Sequence, residues 1–133
     1  MATNYHILMC DEQKKEPAEP PSTTHPEGYR RVHEELLNGN LDLERETERF
    51  KAMGESTRFT LLYLLSQEQQ INSGELADLL DRQQNDLYHH LNTLEDAGLV
   101  GKFHNDGSRV YELSPLAESF LPTVFEMISD RAE

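Results

Sequence analysis

Residues 83–100 read QQNDLYHHLNTLEDAGLV, which predicts a helix, a glycine stop and the start of a strand. Leu87, Leu91 and Leu94 recur at the four-then-three spacing that builds one buried helical stripe. Gly98 is expected to end the helix, because glycine adopts left-handed backbone angles without steric cost. The stretch therefore predicts an amphipathic helix whose other face is polar and exposed.

The polar face of this helix carries side chains of intermediate reach that offer both hydrogen-bond donors and acceptors. Such side chains suit the base edges and phosphates of DNA, although most polar helix faces merely meet water. DNA reading is thus a hypothesis that the neighbouring segments must support. The candidate residues are Gln83, Gln84, Asn85, Tyr88, His89 and Asn92.

Three helices are predicted in the first half of the chain. The first spans residues 30–37 and the second residues 43–53. The third begins at Glu55 or Ser56, either of which can cap its start, and continues to about position 67. In the second helix, Phe50 is expected on the apolar side and Arg49 in solvent. The third helix is dense in leucine and phenylalanine, which is typical of a central core helix.

A further short helix precedes the opening stretch. Residues 71–72 predict a short strand, and Ser73 is expected to cap a helix over residues 74–80 with Leu76, Leu79 and Leu80 inward. Asp81 and Arg82 then form a tight turn. A helix, a short turn and a polar-tipped helix make a helix-turn-helix.

Two strands are predicted after Gly98, at residues 99–104 and 108–113. Asp-Gly between them supplies the positive φ angles that a hairpin turn needs, so the hairpin is interpreted as a wing. Residues 82–110 carry three Lys or Arg and four acids, against a net charge of −13 for the whole chain. This depletion of acid is expected of a DNA face, and the candidate cations are Arg82, Lys102, His104 and Arg109.

Two roles are open for the wing cations. Together with Arg82, Lys102 and Arg109 are expected to contact phosphates, while the polar residues of the helix probe base edges. The alternative is that Lys102 and Arg109 merely pair across the hairpin with Asp106 or Glu112.

The last predicted helix covers residues 115–132, with Ser114 as cap, Pro115 in the first turn and a bend at Pro122. Its apolar residues exceed what a lone terminal helix needs. We therefore predict a dimer interface formed by Leu116, Phe120, Leu121, Val124, Phe125 and Ile128.

Composition separates an N-terminal arm from the rest of the chain. Residues 11–29 hold four of the six prolines and few apolar side chains, so residues 1–29 are expected to be a flexible arm, with residues 4–10 as a possible strand or docking site for a protein partner. Residues 30–133 would form the domain, with dimerisation helices at 30–53 and 115–132. The sequence shows no long apolar run and no signal-peptide layout, which predicts a cytoplasmic protein without a membrane span.

The net charge of −13 has two interpretations. It fits a winged-helix protein-interaction module that binds no DNA, since DNA-binding proteins are usually basic. It also fits adaptation to a saline cytoplasm, because the chain has only four lysines against eight arginines. At about 1 M salt the screening length falls to about 3 Å, so an acidic surface repels DNA little.

The order of elements and three local motifs resemble the ArsR-type winged helix-turn-helix repressors. The motifs are FKAMGESTRFTLLYLL at residues 50–65, GELA at residues 74–77, and LYHHL followed by LEDAGLV at residues 87–100. The resemblance covers residues 43–113. It implies a mostly α fold with a small β-hairpin, and a homodimeric DNA-binding repressor whose recognition helices enter successive major grooves. It places Gln83, Gln84, Asn85, Tyr88 and His89 on the DNA-facing surface, whereas His90, beside the core stripe, favours a structural role.

Metal binding and catalysis are not expected. Where many ArsR-type proteins carry metal-sensing cysteines, this chain has Asn72, Ser73 and Gly74, and residues 114–133 contain no histidine for the family's second metal site. The single cysteine, Cys10, permits no internal disulfide. The six histidines follow no ligand spacing, and neither a nucleophile elbow nor a phosphate loop is present. The sequence thus predicts a sequence-specific DNA-binding regulator that is not an enzyme and needs no cofactor.

Overall fold

The computed structural model describes residues 26–133. The predicted strand or docking segment at residues 4–10, Cys10 and most of the predicted arm lie outside the described residues. One compact unit ends at Glu48, and a second runs from Arg49 to Glu133. Within residues 26–133, no helix combines the length and apolar character that crossing a membrane requires.

The first unit contains helix α1 (Glu27–Arg31), which continues into a π-helical turn at Val32–Leu36. The helix predicted over residues 30–37 therefore starts three residues earlier, and residues 27–29 are helical instead of belonging to the arm. Pro26 precedes the helix with φ −58°, an angle that suits a helix start. The helical segment ends where Asn38 and Gly39 both adopt positive φ.

Helix α2 (Leu43–Met53) has the predicted bounds. The orientation of two of its side chains was predicted wrongly: Arg49 is buried at 4% exposure, and Phe50 is 64% exposed. Arg49 Nε donates to the carbonyl oxygen of Ala97 at 3.1 Å. Ala97 caps the C-terminal end of the helix predicted to read DNA, where a free carbonyl and the helix dipole both favour a cationic donor.

Helix α3 (Ser56–Glu68) is the predicted central helix. Its cap is Glu55, whose carboxylate accepts a hydrogen bond from the backbone N–H of Arg58 at 2.9 Å. The helix is followed at once by the short strand β1 (Gln70–Asn72). Its fully buried side chains are Leu61, Leu62 and Leu65.

Helix α4 (Ser73–Leu80) starts one residue earlier than predicted. Its cap is Asn72, whose Oδ1 accepts from the backbone N–H of Glu75 at 2.8 Å. Ser73 is thus not the cap, because its hydroxyl is used elsewhere. Leu79 was predicted to point inward but is 55% exposed, whereas Leu76 is buried.

Helix α5 (Gln84–Asp96) confirms the helix of the opening stretch. Asp81, in the left-handed conformation, forms the turn from α4, and Gly98 ends the helical segment at φ +76°. Leu87, Leu91 and Leu94 are all buried. Helices α4 and α5 therefore make the predicted helix-turn-helix.

The wing consists of strands β2 (Val100–Asn105) and β3 (Ser108–Leu113). Asp106 and Gly107, with φ of 53° and 79°, form a two-residue turn of the kind that hairpins favour. Strand β3 also pairs antiparallel with β1, where Ile71 lies opposite Tyr111. The sheet order is β1-β3-β2, so the wing is hydrogen-bonded to the strand that lies between α3 and α4.

Helix α6 (Pro115–Arg131) closes the second unit. The Ser114 hydroxyl accepts from the backbone N–H of Ala117 at 3.1 Å and donates to the carbonyl of Gly98 at 2.6 Å. This side chain therefore caps α6 and holds its start against the exit of α5. The core beneath has Tyr111, Leu61, Leu62, Leu76, Leu91, Leu94, Leu99 and Leu121 as fully buried members.

Candidate functional site

Helix α5 divides its polar residues between two surfaces. Opposite the leucine stripe lie Asn85, His89 and Asn92, which share one face at i, i+4 and i+7 and are all exposed. The flank next to the wing carries Gln84 and Tyr88. The structure therefore separates residues that the sequence placed in one set.

Gln84 and Tyr88 belong to a hydrogen-bonded network. The hydroxyls of Ser73 and Tyr88 both donate to Gln84 Oε1, at 3.1 and 2.9 Å. The amide nitrogen of Gln84 lies beside Gly74, 3.6 Å from the position that a β-carbon would occupy there. The Gln84 amide is therefore packed against the start of α4, and its carbonyl oxygen already has two partners.

The wing cations share the face of the hairpin that meets α5. His104 lies opposite Arg109, and Lys102 lies opposite Tyr111, and residues directly opposite each other in a sheet point to the same face. The Arg109 guanidinium carbon lies 4.3 Å from the centre of the Tyr88 ring, a cation–π geometry. This places one predicted DNA contact directly over another.

The alternative pairing of Lys102 and Arg109 across the hairpin is wrong. Lys102 Nζ instead lies 3.6 Å from Glu95 Oε1, near the C-terminal end of α5, and Arg109 packs on Tyr88. Lys102 is thus engaged away from the N-terminal end of α5, which is the end that recognition helices turn toward bases. Glu95 is a partner that sequence reasoning missed.

Arg82 lies at the turn between α4 and α5. Its Nη1 donates to the hydroxyl of Thr57, in the first turn of α3, at 2.9 Å. A surface depression of about 630 Å³ adjoins it, lined by Ala77, Asp78, Asp81, Arg82, Gln83 and Asp86. Three aspartates, Asp78, Asp81 and Asp86, therefore share this depression with Arg82.

Comparisons with known proteins agree with this geometry. A family model described as a helix-turn-helix domain matches residues 53–100. The chain is 28% identical over 86 residues to the cadmium resistance transcriptional regulatory protein CadC of Listeria innocua, covering 60% of this chain and 71% of CadC. The structure of HlyU from Vibrio cholerae superimposes with a TM-score of 0.58 at 25% identity, covering 63% of this chain and 91% of HlyU.

A third comparison is with a homodimeric winged helix-turn-helix DNA-binding domain from Mycobacterium bovis, described as a possible ArsR-family transcriptional regulator. Its TM-score is 0.61, and the match covers 84% of this chain and 93% of that one. At 16% identity this likeness shows the fold alone. The chain therefore contains a helix-turn-helix domain and is similar to ArsR-type winged helix-turn-helix regulators.

At the start of α4, where many ArsR-type proteins carry metal-sensing cysteines, Asn72 caps the helix and the Ser73 hydroxyl donates to Gln84. Over the described range, residues 26–133, no three His, Cys, Asp or Glu side chains are grouped so that they could hold a metal ion.

The predicted dimer residues of α6 fall into two groups. Leu121 has no exposed surface and Leu116 is 8% exposed, so both pack mainly inside the chain. Phe125 packs edge-to-face on the rings of Phe59 and Tyr63, at 5.4 and 5.3 Å. Phe120 and Val124 are half-buried, and Ile128 is exposed together with Met127, which the sequence analysis did not single out.

His90 has the structural role that the sequence favoured. Its Nδ1 lies 3.2 Å from Arg58 Nη1 and 3.7 Å from Glu55 Oε1, and Arg58 Nε donates to the carbonyl of Ala52 at 2.7 Å. Because arginine is always a donor, Nδ1 accepts and the ring is neutral. Arg58 is therefore a second residue whose role was not predicted. The signal in the sequence was its position three residues after Glu55, a candidate helix cap.

The environment shifts two pKa values in this cluster. Burial lowers the pKa of His90 below its ordinary 6.5; the Glu55 carboxylate opposes this shift, and the Arg58 guanidinium adds to it. The pKa of Glu55 is lowered from 4.5, chiefly by the hydrogen bond from the Arg58 backbone N–H. Both groups bind a proton less readily in the folded protein than in the unfolded chain.

The folded protein should therefore lose stability as the pH falls below 6.5. The unfolded chain takes up the His90 proton first, so the contribution is complete above 6.5 and is lost as the pH falls through the folded pKa. Glu55 adds a further loss below 4.5. In urea unfolding at pH 7.0 and 5.5, His90→Asn, which keeps an acceptor near Arg58, should lose less stability between the two pH values than the wild type.

His89→Asn is the matched control, since His89 is the exposed neighbour on the same helix. It should keep the wild-type pH dependence. Equal pH dependence of His90→Asn and the wild type would contradict the role assigned to His90.

Proposed function

We propose that this protein is a sequence-specific, DNA-binding transcriptional repressor that acts as a homodimer in the cytoplasm. The observation that carries the proposal is the exposed face of α5, where Asn85 and His89 stand free on the first two turns, opposite a fully buried leucine stripe. Amide and imidazole groups at the N-terminal end of a recognition helix are suited to base edges in the major groove.

Two cations border that face and are suited to phosphates. Arg82 is held by Thr57 at the start of α3, and Arg109 lies over Tyr88 on the side of the wing. Arg82 lies in the turn before α5 and Arg109 on the wing, so each is suited to a different stretch of DNA backbone. Such contacts fix the register of the protein on DNA without reading sequence.

The homodimer is supported by the exposed apolar side chains at the C-terminal end of α6. Met127 is 61% exposed and Ile128 is 41% exposed, and Tyr63 of α3 is 45% exposed. The Mycobacterium bovis domain of the same fold is described as homodimeric. Two-fold symmetry would place two half-sites about one helical turn of DNA apart.

The acidic surface supports a protein that binds DNA at high salt concentration. Asp78, Asp81 and Asp86 lie around Arg82, and at low salt their charges would repel phosphates. At about 1 M salt the screening length is about 3 Å, which leaves short hydrogen bonds to bases in place. We therefore propose a salt-adapted regulator rather than a module that has lost DNA binding.

The test is selection of DNA from a random duplex pool by the purified full chain in about 1 M KCl, where screening is strong. We expect enrichment of a two-fold symmetric sequence, and light scattering should give twice the mass of the chain. If no sequence is enriched and only a protein partner is retained from lysate, the DNA-binding proposal is wrong and the interaction module is favoured.

Arg82→Gln is expected to weaken binding to all sequences about tenfold, as loss of a phosphate contact does. Arg131→Gln, at the end of α6, is the control with the same change of charge, and it should bind DNA as the wild type once light scattering shows that it is still a dimer.

A further inference from the structure

The side chains on the wing flank of α5 have a different task from those on its outer face. We infer that Gln84 and Tyr88 are positioning residues that hold Arg109 of the wing, and that Asn85 and His89 alone read bases on the first two turns of α5. This inference rests on the proposed function for its DNA part. It revises the expectation from sequence that all four residues probe base edges.

The hydrogen-bonding capacity of Gln84 is already used within the chain. Its Oε1 has two lone pairs, and the hydroxyls of Ser73 and Tyr88 occupy both. Its amide nitrogen lies over Gly74 at the start of α4. Bidentate reading of adenine by glutamine requires a free carbonyl oxygen and a free amide together, and Gln84 does not offer that pair.

Both the hydroxyl of Tyr88 and one face of its ring contact other side chains. Its hydroxyl donates to Gln84 at 2.9 Å, and its ring face lies 4.3 Å from the Arg109 guanidinium carbon. The side chain is half-buried. Tyrosine thus links the start of α4, through Gln84, to the middle strand of the sheet.

Arg109 has no carboxylate partner among residues 26–133. The guanidinium packs on Tyr88 and lies near the buried Tyr111 hydroxyl, whose pKa is raised by burial and lowered in part by Arg109. A guanidinium held by its face keeps its edge N–H groups free for a phosphate. Ordering it before DNA arrives reduces the entropy lost on binding.

The outward-facing residues of α5 differ from Gln84 and Tyr88 in having unused hydrogen-bonding groups. Asn85 and His89 are exposed, and neither side chain makes a hydrogen bond to another group of the described chain. Their donors and acceptors are therefore available for base edges. One flank of α5 thus holds the wing in position, and the adjacent outer face reads bases.

The experiment compares Gln84→Met and Tyr88→Phe with Asn85→Ala in DNA selection. Gln84→Met keeps the length of the side chain without its acceptor, and Tyr88→Phe keeps the ring beneath Arg109. Each should weaken binding about two- to tenfold, the effect of one hydrogen bond, and leave the selected sequence unchanged. A change of preferred base in Gln84→Met or Tyr88→Phe would overturn the inference, because it would show direct reading.

A second measurement needs no DNA. In the wild type, the ring current of Tyr88 should shift the side-chain protons of Arg109 in NMR spectra, and Gln84→Met should reduce this shift. Tyr88→Leu is the reference without a ring and should abolish it. An unshifted Arg109 in the wild type would overturn the inference even if DNA binding is confirmed, whereas a wild type that binds no DNA but shows the shift would overturn only the proposed function.

Discussion

Replacing Leu91 with alanine is expected to lower the free energy of unfolding by about 2–5 kcal/mol. Leu91 has no exposed surface and lies in the middle of α5, within the main core. The cost combines lost burial of the side chain with the cavity left behind. Because small domains are stable by only about 5–15 kcal/mol, this single change should remove a large share of the free energy of unfolding.

Urea unfolding followed by circular dichroism measures the effect, and Leu79→Ala is the matched control. Leu79 undergoes the same chemical change in a neighbouring helix but is 55% exposed, so its replacement should alter stability by no more than about 0.5 kcal/mol. A Leu79→Ala cost as large as that of Leu91→Ala would mean that Leu79 points inward, as the sequence pattern predicted.

Replacing Asn85 with alanine is expected to weaken binding to the selected DNA sequence by about 1–3 kcal/mol, or roughly 5- to 150-fold. Asn85 lies on the first turn of α5 and is exposed. The loss should be confined to the preferred sequence, because a base contact contributes little to binding of unrelated DNA. Binding titrations with the selected duplex and with a scrambled duplex measure both effects.

Asn92→Ala provides the comparison, since Asn92 lies on the same face two turns nearer the C-terminal end of α5. Recognition helices contact bases mainly through their N-terminal residues, so the Asn92 effect should be smaller. Equal losses for the two variants, or an Asn85 loss that is the same on scrambled DNA, would contradict the assignment of base reading to the N-terminal end.

Local sequence signals were sufficient for most of the secondary structure. The bounds of α2, the tight turn at Asp81 and the cap at Ser114 each follow from chemistry within a few residues, and all are confirmed. The Asp-Gly turn also follows from the φ angles that only a few residues adopt readily. Helix-turn-helix and wing could therefore be placed from the sequence alone.

The errors concern side chains whose partners lie far along the chain. Arg49 is buried because the carbonyl of Ala97, 48 positions later, needs a donor. No helical periodicity contains that information, so Phe50 was placed inside and Arg49 outside. The capping role given to Ser73 failed for the same reason, since its hydroxyl is bound to Gln84 in the next helix.

The sequence predicted which residues belong to the candidate site but not which of them contact one another. The sequence could show that Gln84, Tyr88 and Arg109 are polar and near the predicted interface. It could not show that they contact one another, because the register of the wing against α5 depends on tertiary packing. The distinction between reading and positioning residues therefore became visible only in the structure.

The pairing of β1 with β3 has a consequence for how the chain folds. Ile71 lies opposite Tyr111, 40 positions later, and β3 is the middle strand of the sheet. This contact closes a long loop that contains the entire helix-turn-helix, and closing long loops slows folding. During synthesis, α4 and α5 leave the ribosome before the strand that completes their sheet, so the helix-turn-helix gains its sheet contacts only after the wing has emerged.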